Sequence, residues 1–312
     1  MKRIVVKSPA SSANLGSGFD VFAIGLKDPK DTVELRASKS HELAVRVTYA
    51  ENSSVRGFED TAMRAVIEAM ATEFDLAYRI DGVIVSHIPI GVGLGSSAAS
   101  SVAAAVGADR LFQLNLDSKS ILRFAAEGEL AASGSRHYDN IAGALQGGFV
   151  MVHLDSLETI KFPSPKGMRI VIVTPELKLP GKKTKYARSL LPRNVGLKKM
   201  TKNVSFASRV VAGFANDDIE MIGSGLEDSV VEPARKMMIP WFDEVKDAAL
   251  KSGAAGVCIS GAGPSMMAIV NSYKVDPERV RKSMEYHFGS HGISANSFVT
   301  SIGEGTKIVR KF

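Results

Sequence analysis

The sequence predicts an α+β chain in two domains, and three observations predict it. The first half reads as strands, then helices, then a further strand. The second half reads as strand, helices, strand, strand, helix, strand, a split β-α-β arrangement. Between them lies "FPSPKG" at 162–167, a turn rich in proline and glycine. The boundary is expected there, giving domains 1–165 and 166–312, and 312 residues suit two medium domains.

The elements follow in order. "RIVVKSP" reads as a first strand closed by Pro9. "TVELRAS" and "LAVRVTYA" alternate like half-buried strands. "DTAMRAVIEAMATEF" has helical spacing, with Asp60 or Thr61 as cap. "GVIVSHIPI" is strand again. "SAASSVAAAVGADRLFQL" reads as a helix of small residues, which lets a neighbour approach closely. "SKSILRFAAEGELAASG" is a helix expected to be capped by Ser118 and stopped near Gly134. "GGFVMVHL" is strand. "MRIVIVTP" opens the second half as a buried strand, followed by helical patterns around 200–224 and 240–252. "AGVCIS-GAGP-SMMAIV" reads as two strands joined by a glycine turn. "DPERVRKSMEYHF" has Asp276 as cap and Pro277 at the first helical position, and "SANSFVTSI" closes.

Composition excludes several classes. Apolar residues at 45% and charged residues at 23% describe a globular chain rather than a disordered one. The single cysteine, Cys258, rules out an internal disulfide and points to a cytoplasmic protein. The start, "MKRIVVKSPA", has too short an apolar run for a secretory signal. Ile88 to Ala108 carries no charge, yet its proline, glycines and serines make it too polar to span a membrane. The net charge of +6 favours anionic ligands such as nucleotides. Its lysines and arginines are scattered, apart from "GKKTKYAR" at 181–188, and are not interleaved with aromatics, so nucleic acid is not an expected partner.

The stretch "IPIGVGLGSSAASS" carries the chemistry. Gly91, Gly93 and Gly95 alternate directly before a helix. Such glycines let backbone N–H groups converge on an anion, and the helix start adds its own free N–H groups and positive dipole end. A tight turn with no ligand would also use these glycines. The Walker pattern is absent, since no lysine precedes the serines. The dinucleotide pattern is met by Gly93, Gly95 and Ala98, but its acidic partner, Asp117, falls between two helices rather than at a strand end.

Glu129 shares a helical stripe with Leu122, Ala125 and Ala132. A carboxylate there must be paired or ligated once buried. An ion pair with Arg or Lys would serve, and so would Mg²⁺, to which Ser97 could add a hydroxyl. Glu127 points the other way, toward solvent. "PASSANLGSGFD" places Asn14 and Asp20 in a glycine-rich loop. "SGSRHYDN" gathers His137, Asp139 and Asn140 just past the Glu129 helix, and "SGAGPS" at 260–265 is a second glycine turn.

Together these three glycine-bearing stretches resemble the three motifs of the GHMP family of small-molecule kinases. The middle motif, P-x-x-x-G-L-G-S-S-A, is met in full from Pro89 to Ala98. The resemblance implies an N-terminal domain like ribosomal protein S5 domain 2 and a C-terminal ferredoxin-like domain. "SSANLGSGFD" and "EGELAASGSRHYDN" are most similar to the homoserine kinase branch. That branch implies ATP-dependent phosphorylation of the side-chain hydroxyl of L-homoserine, a step toward threonine.

The resemblance places ATP phosphates on Pro89, Ile90, Gly91, Val92, Gly93, Leu94, Gly95, Ser96 and Ser97. It implies Mg²⁺ held by Ser97 and Glu129, and Asn14, Asp20, His137, Asn140, Arg188 and Arg235 around the acceptor. Arg188 and Arg235 would meet the acceptor carboxylate and Asp20 its ammonium, with Thr184, Glu129 and Asn140 nearest the reaction. Thr184, Arg188 and Arg235 rest on the looser matches "TKYAR" and "EPAR". Asn140 stands where mevalonate kinases carry an aspartate, and an amide cannot act as a base. Another acceptor such as mevalonate, or a non-catalytic nucleotide sensor of the same fold, is compatible with much of this pattern. Oligomeric state is left open, and a homodimer is compatible with the sequence.

Overall fold

The computed structural model describes residues 2–51, 53, 61–177 and 183–311. The first half contains β1 (Lys2–Ala13), β2 (Phe22–Lys39), β3 (Ala44–Tyr49), α1 (Thr61–Glu73), β4 (Tyr78–Val85), α2 (Ser96–Phe112), α3 (Ser118–Ser133), α4 (Tyr138–Gln146), β5 (Phe149–Val152) and β6 (Thr159–Phe162). The second contains β7 (Met168–Pro175), α5 (Lys183–Ser189), α6 (Leu197–Ala215), α7 (Ile219–Ser224), α8 (Val231–Arg235), α9 (Phe242–Lys251), β8 (Gly256–Ile259), β9 (Met266–Asn271), α10 (Pro277–Ser290), β10 (Ala295–Thr300) and β11 (Lys307–Lys311).

Two sheets result. The larger runs β11-β1-β2-β4-β3, with β5 on the free part of β2 and β6 on β5. Among the described residues its one parallel pair is β3 with β4. The smaller sheet runs β10-β7-β9-β8, all antiparallel. Numbered within the second half, that is strand order 4-1-3-2, with α10 crossing between β9 and β10, as the ferredoxin-like expectation requires. β11 leaves this half and pairs with β1, Ile4 standing opposite Lys311.

Several local expectations are corrected. β1 does not stop at Pro9 but continues to Ala13, because a register shift between Pro9 and Ser11 absorbs the missing N–H. α3 is capped by Asp117, whose carboxylate accepts from the Ser120 amide at 2.8 Å, not by Ser118. Asp117 therefore has a structural task and reads no ribose. Asp276 caps α10 with Pro277 in its first turn, as expected. Asp60 lies outside the described residues, and Thr61 is already the first helical residue of α1.

Three cores hold the layers. The first lies between the large sheet and α1–α3, with Leu35, Met63, Ile80 and Val102 fully buried. α2 is buried nearly all round, which its alanines and serines permit. The second core joins the two sheets through residues such as Leu26, Phe149, Ile172 and Met267, and the Phe149 ring stacks on Phe214 of α6 at 4.1 Å. The third lies under α9 and α10. β7 sends Ile170 and Ile172 to the second core and Val171 and Val173 to the third. Burial on both faces explains its unbroken apolar run. Among the described residues, no helix is long and apolar enough to cross a membrane; Ile88–Ala108 is loop followed by the body of α2.

Candidate active site

The three glycine stretches meet. Carbonyls of three successive loop residues are tied to the protein: Val92 O accepts from the Ser265 amide at 3.1 Å, Gly93 O from Ser260 Oγ at 2.8 Å, and Leu94 O from the Ser11 amide at 3.1 Å. In a trans peptide the next N–H points opposite to the carbonyl. The amides of Gly93, Leu94 and Gly95 are therefore turned away from these partners. Among the described residues none of the three donates a hydrogen bond. α2 begins at once behind them, and its N-cap, Gly95, supplies no side-chain oxygen. A row of free N–H groups and an uncapped helix start form one anion-seeking surface.

Gly91, Gly93 and Gly95 all have positive φ, at 70°, 88° and 65°. Their needs differ. A Cβ on Gly93 would overlap the Ser260 carbonyl and stand 2.9 Å from the Gly263 nitrogen. One on Gly95 would overlap Ser11 Oγ and stand 3.0 Å from Asn140 Oδ1. One on Gly91 would meet nothing nearer than 3.7 Å. Two of the three glycines thus admit the other two stretches, in addition to freeing the backbone.

The loop opens on a cavity of about 660 Å³. Of the residues expected at a site, Asn14, Asp20, Ile90, Gly91, Gly93, Leu94, Gly95, Ser96, Ser97, Glu129, His137, Asn140, Thr184, Arg188 and Arg235 all line it. Pro89 and Val92 do not: Pro89 is exposed and Val92 leans on the second core. The wall also carries Tyr49, Thr61, Asp139 and Lys183, none of which is assigned a role at the site from the sequence. Asp139 carried a signal, since it adjoins Asn140. Both residues sit in the first turn of α4.

Glu129 is 3% exposed. Of the two roles left open for it, pairing with Arg or Lys is not found among the described residues: its neighbour is His137, whose Nδ1 lies 2.9 Å from Oε2. Oε1 is buried with no hydrogen-bond partner. Burial opposes charge on His137, but the hydrogen bond and charge of Glu129 prevail and raise the ring above its ordinary value. The other ring nitrogen lies 3.1 Å from Ser135 Oγ, so both nitrogens are engaged. Glu127, expected in solvent, makes a half-exposed pair with Arg136.

At the opposite wall the loop after β1 is held in uncommon backbone conformations, with Asn14, Leu15 and Asp20 at φ of 73°, 45° and 58°. Asn14 Oδ1 accepts from the Asp20 amide at 3.1 Å. The Gly261 carbonyl accepts from both Asn14 Nδ2 at 2.8 Å and Arg235 Nη1 at 3.0 Å. Arg188 Nη2 lies 3.0 Å from each Asp20 oxygen, and both guanidinium groups lie over Phe19. Asp20 and Arg188, assigned from the sequence to opposite ends of an acceptor, thus meet each other. Arg235 Nε and Arg188 Nε are buried without partners. Burial brings Arg235 down to about 10, which leaves it charged at neutral pH. Asn140 accepts from Ser11 Oγ at 3.0 Å through Oδ1. Burial, helped by the charge of Asp20, lifts the Asp139 carboxyl to about 6.

The site therefore offers a row of free amides, a lone carboxylate oxygen and a cationic pocket, all on one cavity. Comparison with known proteins gives this combination a context. The GHMP kinases N terminal domain matches residues 60–148, and the GHMP kinases C terminal domain matches residues 210–290. Homoserine kinase of Pyrococcus abyssi is 39% identical over 97% of this chain and 98% of its own. Homoserine kinase of Thermoplasma volcanium is 36% identical over 97% and 96%. The crystal structure of homoserine kinase from Cytophaga hutchinsonii superposes with a TM-score of 0.88 at 34% identity, covering 98% of this chain and 97% of that one. Lactococcus lactis galactokinase shares the fold at 15% identity, with a TM-score of 0.71 over 98% and 95% of the two chains. The motifs, the two sheets and these matches agree, and the chain belongs to the GHMP kinase family.

Proposed function

We propose that the protein transfers the γ-phosphoryl group of ATP to the side-chain hydroxyl of L-homoserine, giving O-phospho-L-homoserine and ADP on the way to threonine, in the cytoplasm. The observation that carries this reading is a single cavity lined both by Gly93–Gly95, whose amides are free, with the start of α2, and by Asp20, Arg188 and Arg235. ATP needs the first set of groups. A small zwitterion with a hydroxyl suits the second, since two guanidinium groups can meet a carboxylate and Asp20 keeps lone pairs for an ammonium.

Glu129 Oε1 fits a hard divalent cation, being a buried carboxylate oxygen without a partner. Among the described residues no cluster of three His, Cys, Asp or Glu forms a self-contained metal site. A cation would then be held by Ser97, Glu129 and the phosphate oxygens, the usual manner for Mg²⁺ in nucleotide sites. When bound it would neutralise charge building on the transferring group. His137 holds the Glu129 carboxylate through Oε2 and so leaves Oε1 for that purpose. Asn140, fixed by Ser11, and Thr184 would orient the acceptor hydroxyl. Neither can take up a proton, so catalysis rests on positioning and charge neutralisation in a loose transition state.

An ADP-release assay across homoserine, mevalonate, galactose and threonine tests the reading. Homoserine should be used with the highest kcat/KM. Preference for any of the others, or no turnover with Mg-ATP and homoserine, refutes it.

A further inference from the structure

Arg235 reaches the cavity from α8, a helix of five residues, "VEPAR". A helix this short does not hold itself in place. Its first turn is tied down by Asp228, whose carboxylate accepts from the amides of Val230, Val231 and Glu232 at 2.7–3.0 Å and from Asn203 Nδ2 at 2.8 Å. Its middle is tied by Glu232, 8% exposed, whose Oε1 lies 2.7 Å from Nζ of Lys246 on α9. Lys246 is equally buried and also reaches Glu227 at the protein surface.

Glu232 and Arg235 are three residues apart, a spacing that puts both on one helical face and favours their own ion pair. Among the described residues no hydrogen bond joins them. Lys246 holds the carboxylate, and Arg235 keeps its charge for the cavity, with Nη1 on the Gly261 carbonyl and Nε without a partner.

We propose that the Glu232–Lys246 pair is a positioning device for Arg235: it fixes α8 and keeps the one carboxylate on that helix from neutralising the guanidinium that meets the acceptor. The inference rests on the phosphoryl-transfer reading above. Glu232 acts through Arg235 and touches no substrate.

The pair is also pH-sensitive. Burial lifts the Glu232 carboxyl to about 7 against the pull of Lys246, with Glu227 and Asp228 adding to the rise. Cys258 of β8 is neutral, burial pushing its thiol far up. As pH falls through about 7, Glu232 takes up a proton and the ion pair is lost. Acceptor KM should therefore rise on acidification, while the homoserine zwitterion itself does not change charge over this interval. Asp139, in the same cavity, is held to about 6, so a variant must separate the two.

The test measures KM for homoserine and for ATP from pH 6 to 8.5 in the wild type and in Glu232→Gln, Lys246→Met and Lys246→Arg. Glu232→Gln and Lys246→Met should raise homoserine KM at pH 8 by about 10-fold, the low end of a charge-assisted hydrogen bond, with ATP KM within about twofold of wild type. Glu232→Gln should lose the wild-type dependence near pH 7, and Lys246→Arg should restore a low KM. A wild-type homoserine KM that is flat through pH 7 overturns the proposal without any variant. So does an equal rise in both KM values, which marks a merely structural pair. A wild type that turns over another acceptor refutes the functional reading instead, and that outcome is seen before any variant is made.

Discussion

Gly93 and Gly91 lie two residues apart in the same loop with similar backbone conformations, and alanine should separate them. At Gly91 the added Cβ makes only an ordinary contact with the Lys183 side chain at 3.7 Å, so the cost is the left-handed backbone alone, about 1–2 kcal/mol. At Gly93 the same backbone cost applies, and the Cβ also overlaps two backbone atoms, Ser260 O and Gly263 N. Neither can turn aside as a flexible side chain would. Overpacking of this kind costs about 1–3 kcal/mol, for a total of about 2–5 kcal/mol. For 312 residues, an unfolding entropy of about 2.1 cal/mol/K per residue makes each kcal/mol worth about 1.5 °C. Thermal melting should then show a loss of about 2–3 °C for Gly91→Ala and about 3–8 °C for Gly93→Ala. ATP affinity by calorimetry should separate them too. A loop displaced by about 1 Å no longer aims its amides, and Gly93→Ala should lose about 10- to 100-fold where Gly91→Ala loses much less. If the two variants melt together and bind ATP equally, the contact with the Ser260–Gly263 turn does not set the loop.

Further outcomes follow from the same cavity. Glu129→Gln keeps shape and removes charge, so turnover should fall at least ~10²-fold and the Mg²⁺ concentration for half-activity should rise. Near-normal turnover at low Mg²⁺ would leave Glu129 as a partner of His137 and nothing more. Asp20→Asn should lower kcat/KM for homoserine by about 10- to 150-fold and most of the preference over 4-hydroxybutyrate, which lacks the ammonium. An undiminished preference would show that Asp20 serves only Arg188. Asp139 holds its proton more tightly folded than unfolded, so its stabilising contribution is full below about pH 4 and is lost as pH rises through about 6. Asp139→Asn should accordingly be more stable than wild type by up to about 3 kcal/mol at pH 8 and level with it near pH 4, as read by chemical denaturation. A difference that is constant with pH would deny the buried carboxyl its shift.

What the sequence made legible was local chemistry. Alternating glycines before a small-residue helix announced the cradle, and Glu129 on an apolar stripe announced a buried carboxylate. Strand and helix order in the second half was enough for a split β-α-β arrangement. Contacts set by the fold were not legible. Nothing local tells that Gly93 admits Ser260, that Lys246 reaches Glu232, or that Asp20 pairs with Arg188 across 168 positions. Asp139 is hidden for a different reason. Nothing in "SGSRHYDN" announces that a short helix starts there, and a residue on the first turn of a helix presents a different face from one in a loop. β11 escaped notice because five residues ending in "VRK" have too little alternation to stand out before their partner is known.

That last strand has a consequence for how the polypeptide is made. Residues 4–7 and residues 307–311 stand about 300 positions apart in the chain, yet they lie side by side in one sheet. Translation adds about 5–20 residues per second, so the outer edge of β1 stays unpaired for roughly 15–60 seconds while its partner is still being synthesised. An open strand edge of that kind invites pairing with other chains. The nascent sheet must therefore wait, exposed along one border, until β11 arrives to seal it.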